Sequence, residues 1–360
     1  MSIMSPYHGA SVLVTGHTGF KGSWMCLLLK ALGARVTGLA LPPPTHPNLF
    51  EIADVASQIA ASHVVDVRDM AALQRHIENA APDVVFHMAA QPLVLESYRD
   101  PVGTFSTNIM GTVHVLEALK SLKKPAAAVM ITSDKCYKNY ESETPYDEAS
   151  PLGGSDPYTA SKACAEIVSH AYRSAFFSTG QVRVATARAG NVLGGGDFGE
   201  HRLIPDLYRC AVGKTPIRLR YPDAVRPWQY ILDVLWGYLL LGAALRSGQR
   251  DAEDSFNFAP VGATPVTVRD IVERFCLVWQ RNIPLEYEAP KHPETGMLRI
   301  NARKAEQLLG WRSRMDTDAM LTATAEWYAA YLSGTANMLH FTETQLQRYV
   351  QADRALRATG

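Results

Sequence analysis

Short apolar runs of strand length alternate with amphipathic stretches of helix length through the first half of the chain, and few architectures satisfy that alternation. Ser11–Thr15 is an unbroken SVLVT run, and residues 21–32 follow with helical apolar spacing closed by Gly33. Further apolar runs at 36–41, 64–67, 84–89, 127–132 and 182–187 alternate with helix-like segments at 70–79, 105–122 and 158–177. Runs that are apolar on both faces belong inside a parallel sheet, and each parallel pair needs a crossover that a helix can supply. The expected fold is α/β, a Rossmann-type doubly wound parallel sheet.

After Gly190 the pattern loosens into Gly194-Gly195-Gly196 and scattered prolines, with short strand-like pieces such as 217–220. This change predicts a smaller C-terminal substrate-binding domain. The expected division is 1–190 for a dinucleotide-binding domain that also takes back 233–260, 191–335 mainly for substrate, and 336–360 as a helical tail. The second part should hold helices at 268–279 and 301–309, the latter capped by Asn301. The tail carries Leu346, Tyr349, Val350 and Leu356 at modest amphipathic spacing, which suits docking on a neighbouring subunit or on its own chain equally.

The 360 residues balance 35 basic against 35 acidic side chains, which gives no electrostatic footprint for nucleic acid. The longest apolar stretch, 234–245, is broken by Gly237 and Gly242 and is too short for a bilayer, so it reads as a buried helix. The opening residues lack the pattern of a secretory leader. Five scattered cysteines form no C-x-x-C pair and no metal-ligand spacing, so the expectation is reduced thiols in a cytoplasmic protein with no metal.

Chemistry enters at the junction of the first strand and first helix, where Gly16, Gly19 and Gly22 fall three apart in GHTGFKG. Glycines there allow a tight turn, close approach of backbone to a pyrophosphate and close packing of helix on strand, while the helix N-terminus offers free N–H groups. The acid that ordinarily grips the adenosine ribose about 20 residues later is missing from 36–41, and Arg35 is the lone nearby arginine. These residues leave NAD and NADP both open. Asp66 and Val67 suit the adenine edge, although an aspartate there also suits a turn cap. His87 reads as a packed strand residue, and the small residues after it would let a cofactor lie against the backbone.

Tyr158 and Lys162 stand four apart, hence on one helix face, next to the strand end that carries Thr132 and Ser133. A nearby ammonium favours the phenolate, so the pair predicts a lowered tyrosine pKa and a base for a hydroxyl proton as hydride leaves the adjoining carbon. Asp134 and Lys135 follow at once. They could act as an acid and a base for removing water, or simply pair with each other as ions. Arg218 and Arg220 share one side of a strand-like piece and are weaker candidates for a diphosphate.

The segments GHTGFKGSW at 16–24, TSDKCY at 132–137, RAGNV at 188–192 with GGGD at 194–197, and RPWQ at 226–229 resemble the extended short-chain dehydrogenase/reductase family, within it the nucleotide-sugar 4,6-dehydratases. Relatives usually carry Asp-Glu where this chain has Asp134-Lys135, and the lysine points to the branch that uses CDP-glucose. The resemblance implies NAD as cofactor, held by Gly16, Thr18, Gly19, Phe20, Lys21, Gly22, Asp66, Val67, Ala89, Ala90, Gln91, Asn108, Thr132, Tyr158 and Lys162. It implies catalysis by Ser133, Asp134, Lys135, Tyr158 and Lys162, and substrate contacts from Asn191, Arg202 and Arg226. A homodimer that pairs the helices near Asn108 and Tyr158, or a homotetramer, is also implied. A 4-epimerase or simple reductase on the same fold needs the tyrosine and lysine but no elimination pair. A redox sensor that binds NAD(P) without turnover needs neither set complete.

Overall fold

The computed structural model describes residues 4–260, 265–289 and 296–359. Seven parallel strands form the central sheet: β1 (Ser11–Thr15), β2 (Arg35–Ala40), β3 (Ala61–Val64), β4 (Val84–His87), β5 (Ala126–Ile131), β6 (Val182–Ala189) and β7 (Ser255–Phe258). Their order is β7-β6-β5-β4-β1-β2-β3, so the strand order reverses between β1 and β4. Open α/β sheets bind ligands at such a reversal, beyond the carboxyl ends of the strands.

Helices cover both faces. One face carries α1 (Phe20–Ala31), whose residues Gly22 to Leu29 are buried throughout, and α6 (Ile231–Arg246). α6 packs on β4, β5 and β6, as the buried helix that the apolar stretch predicts. The other face carries α2 (Met70–Ala80), α3 (Gly111–Leu119) and α4 (Pro157–Ala175). Pro157 occupies the first turn of α4, where its missing N–H costs nothing, and Asp156 and Thr159 form a capping box. α4 therefore begins one residue before Tyr158, which fixes the phenol at the carboxyl edge of the sheet.

The second lobe is built from α5 (Leu203–Gly213), α7 (Val268–Val278), the two-stranded pair Ile217–Leu219 with Leu285–Tyr287, and α8 (Thr317–Ser333). The last helix, α9 (Met338–Thr359), docks on its own chain. Tyr349 donates its hydroxyl to Asp233 Oδ1 at 2.6 Å, and the Arg314 guanidinium pairs with Asp353 at 2.5 Å.

Several boundaries differ from the sequence expectation. β3 covers Ala61–Val64 rather than 64–67, because the strand at the sheet edge is mostly exposed and polar rather than an apolar run. Asp66 and Val67 consequently sit on the loop beyond it. The expected helix at 105–122 is divided into Pro101–Phe105, a wider π-helical turn at Ser106–Met110, and α3. Asn108 in that turn is tied to the chain around Gln91 and to Ser161, and Thr112 Oγ1 donates to the Asn108 carbonyl at 2.7 Å. Asn301 does not cap its helix as the N-terminal residue. The helix is Arg303–Leu309, and Asn301 Oδ1 accepts from the Arg303 amide at 2.9 Å.

Candidate active site

A cavity of about 960 Å³ runs from the glycine loop across the carboxyl ends of β4 and β5 to the second lobe. At its first end the loop is forced tight. Gly16 has φ +74°, and a Cβ there would lie 2.7 Å from the Ala89 amide nitrogen, while a Cβ on Gly22 would lie 2.1 Å from Gly16 O. No side chain caps α1, so its first amides face the cavity free for an anion. These features fit a dinucleotide pyrophosphate. Gly22→Ala is expected to weaken NAD binding about five- to 150-fold, because the overpacked loop must open at a cost of about 1–3 kcal/mol. Titration calorimetry with NAD checks it, and unchanged affinity would separate the loop from the cofactor.

Thr18, Gly19, Phe20, Lys21, Val67, Ala89 and Ala90 line the cavity beside that loop. Asp66 also lines it, and it chelates the Arg68 guanidinium at 2.6 and 2.9 Å, which holds the carboxyl below its ordinary value. Gln91 and Asn108 do not line it. Asn108 instead braces the wall, accepting from the Gln91 amide at 2.8 Å and donating to Gln91 O at 3.0 Å and Ser161 Oγ at 2.8 Å. His87 is a packed strand residue, bonded through Nδ1 to Thr15 Oγ1 at 2.8 Å. Near the end of β2 the lining is Ala40, Leu41, Pro42, Pro44 and Thr45. Among the described residues no cation stands there to receive a 2′-phosphate.

Thr132, Ser133, Asp134, Lys135, Tyr158 and Lys162 all line this cavity. Ser133 caps the short turn Asp134–Cys136, accepting from the Lys135 amide at 3.2 Å and donating to Asp134 Oδ1 at 3.0 Å. Asp134 is buried, and its Oδ2 has no partner among the described residues. A Cβ on Gly190 would stand 1.9 Å from that oxygen, so only glycine leaves room for the carboxylate. Lys135 is half-buried on the same wall. No ion pair joins Asp134 to Lys135 among the described residues, so the simple pairing that their adjacency allowed is not what holds them.

The Tyr158 phenol is pushed up to about 12, the reverse of the direction the lysine spacing suggested. Burial outweighs the lowering influence of the Ser133 hydroxyl, and the Asp134 charge adds to the upward push. Lys162 is buried, which brings its amine down to about 8 against the opposing pull of Glu166. Lys21 is a third amine in the site that sequence reasoning placed only at the cofactor. Burial brings it down to about 8 as well, with Arg202 and Lys162 pushing the same way and Asp134 and Asp197 opposing.

Asn191, Arg202 and Arg226 also line the cavity, with Arg202 within charge range of Lys21 and Tyr158. Arg202 Nη1 donates to Asp197 Oδ2 at 3.0 Å, and Arg226 Nη1 to the carbonyls of Val225 and Gly296 at 3.0 and 3.3 Å. Arg218 and Arg220 line it as well, with Arg218 paired to Glu286. Arginines that line the same cavity as Tyr158 suit a diphosphate whose attached group reaches the phenol.

A doubly wound parallel sheet with a glycine-loop helix, and a phenol and an amine one turn apart at its carboxyl edge, defines an enzyme of the short-chain dehydrogenase/reductase class. The family model described as GDP-mannose 4,6 dehydratase matches residues 13–324. The chain belongs to that family, the nucleotide-sugar 4,6-dehydratases. It is 41% identical to CDP-glucose 4,6-dehydratase of Salmonella typhimurium, over 96% of this chain and 98% of that one. A probable dTDP-glucose 4,6-dehydratase of Sinorhizobium fredii is 26% identical over 88% of this chain and 92% of that one. Among solved structures, dTDP-glucose 4,6-dehydratase from Streptomyces venezuelae with NAD bound superimposes with TM-score 0.78 at 24% identity, covering 91% of this chain and 99% of that one. UDP-glucose-4-epimerase from Stenotrophomonas maltophila with bound NAD does so with TM-score 0.76 at 23% identity, over 91% and 100%.

Proposed function

We propose that this protein converts CDP-D-glucose to CDP-4-keto-6-deoxy-D-glucose and water, with NAD as its resident cofactor. The observation that carries the reading is the meeting of Asp134 and Lys135 with Ser133, Tyr158 and Lys162 in one cavity. The 41% identity over nearly the whole chain supports the choice of CDP-glucose. NAD, when bound, would supply a hydride acceptor and a positive charge. Tyr158, as the phenolate, takes the O4 proton as C4 becomes a ketone. That ketone acidifies C5, and Lys135 takes the C5 proton. Asp134 meets the departing O6 hydroxyl with a proton, so water leaves from C5 and C6. Hydride is then returned to C6 and a proton to C5, so the net change is loss of one water. Asn191, Arg202 and Arg226 hold the diphosphate end.

Incubation with CDP-glucose, dTDP-glucose and GDP-mannose, followed by mass analysis, tests the assignment. Loss of one water from CDP-glucose alone is expected. Unchanged mass with inverted stereochemistry would mean an epimerase, and no conversion of any sugar a binding protein.

The pH dependence has a definite sign. The Lys162 ammonium is present below about 8 and is lost as pH rises through that value. C4 oxidation also needs the phenolate, so its rate should climb with pH up to about 8 and level off above it as the ammonium is lost, followed by stopped-flow absorbance. A rate still climbing at pH 10 would remove the ammonium from the step.

All five cysteines are free thiols, which suits a reducing compartment such as the cytoplasm. No helix among the described residues is long and apolar enough to cross a membrane. Val102, Met110 and Ile167 are exposed on the helices flanking Asn108 and Tyr158, at 77%, 45% and 57%. They support pairing of two copies through those helices, the arrangement we propose for the dimer.

A further inference from the structure

We propose that Glu166 is a positioning residue for the oxidation step, a buried carboxylate one helical turn beyond Lys162 that keeps that amine charged and seats its helix on the sheet. Tyr158, Lys162 and Glu166 recur every four residues along α4 and so share one face. The first two line the cavity, while Glu166 lies beneath it with 2% of its surface exposed. Every strand under α4 sends it a donor. Thr132 Oγ1, just past β5, donates to Oε1. Thr186 Oγ1 and Arg188 Nη2 of β6 each donate to Oε2 at 2.7 Å, and Ser255 Oγ of β7 does so at 3.1 Å.

Four donors come close to filling the acceptor sites of an ionised carboxylate and leave little room for a bound proton. Burial works to raise its pKa, but Arg188 and the hydroxyls together hold the group below its usual value. Arg188 is fixed in turn, donating to Tyr137 OH at 2.7 Å, and that hydroxyl donates to Asn257 Oδ1 at 2.6 Å. The charge is thus locked in place by side chains from outside the catalytic set.

The surroundings of Lys162 show why that charge matters. Its amine makes one long bond, to Ile131 O at 3.4 Å. Facing it are Glu166 and Tyr158 on its own helix, Cys136 after β5, Lys21 on α1 and His87 on β4. Burial pushes the Cys136 thiol and the Tyr158 phenol up and the His87 imidazole down to about 3, so all three are neutral at physiological pH. Lys21 opposes a second positive charge. Glu166 is the counter-charge that remains among these groups, and Thr132 links it directly to the strand end that carries Ser133.

Competitive acetylation of the cofactor-free protein across pH, with Lys162 read by mass spectrometry, tests this. Glu166→Gln should make Lys162 reactive about one pH unit lower, since an opposite charge nearby has that order of effect on an amine. Glu166→Asp, which can still pair with Arg188, should move it the same way by less, and Glu166→Gln with Arg188→Met removes both buried charges together. Ser255→Ala, which removes one donor and keeps the carboxylate, should lower thermal stability and leave the Lys162 titration in place. An unmoved titration in whichever Glu166 variants fold overturns the role and leaves Glu166 a structural bridge. The kinetic counterpart rests on the proposed reaction: the pH at which the C4 oxidation rate levels off should shift with the acetylation curve. Absence of turnover in the wild type would defeat the reaction, whereas the acetylation result decides Glu166 without cofactor or substrate.

Discussion

Replacing Tyr158 with phenylalanine is expected to abolish the first oxidation, lowering the rate of reduced-cofactor formation from CDP-glucose by about a hundred- to ten-thousand-fold, the usual worth of a positioned acid–base group. The substitution keeps the ring, and with it the burial of the helix start, so folding and NAD affinity should change little. A phenol pushed up to about 12 is almost wholly protonated at neutral pH. That proton must be lost to solvent before the phenol can take the one on O4, and the Lys162 charge is what favours the phenolate. Single-turnover absorbance of the reduced cofactor is the measurement. An undiminished burst in Tyr158→Phe would hand the O4 proton to another group.

Lys135→Met should divide the reaction rather than stop it at the start. Oxidation at C4 uses groups on α4 and the end of β5, none of which the substitution touches. The transient reduced cofactor should then form at near the wild-type rate and accumulate, while release of water falls by about a hundred- to ten-thousand-fold. Solvent deuterium should no longer enter C5. Full dehydration by this variant would exclude Lys135 as the C5 base, and loss of the first oxidation as well would show that the lysine serves binding.

Much of this was legible locally. The glycine spacing, the Tyr158/Lys162 interval and the Ser133-Asp134-Lys135 run each depend on residues within one turn of chain, where spacing and geometry are nearly the same thing. Alternating apolar runs gave the sheet because buried parallel strands have no polar face to disguise them. What escaped depends on distance in sequence. Glu166 meets Arg188 from 22 residues away and Ser255 from 89, contacts that only the packed sheet creates. The direction of the Tyr158 shift escaped for a related reason, since spacing places a lysine nearby but does not report how deeply both groups are buried. β3 was misplaced because an exposed edge strand lacks the apolar run used to find the others. Asn108 was read as a cofactor contact, yet it is the peg around which the helix widens.

The central claim is that one hydride leaves C4 and comes back to a different carbon of the same sugar. CDP-glucose deuterated at C4, turned over by this protein in ordinary water and examined by NMR, tests it most directly. The mechanism predicts deuterium in the C6 methyl group of a product lighter by one water. Deuterium retained at C4, or lost to solvent, would contradict it.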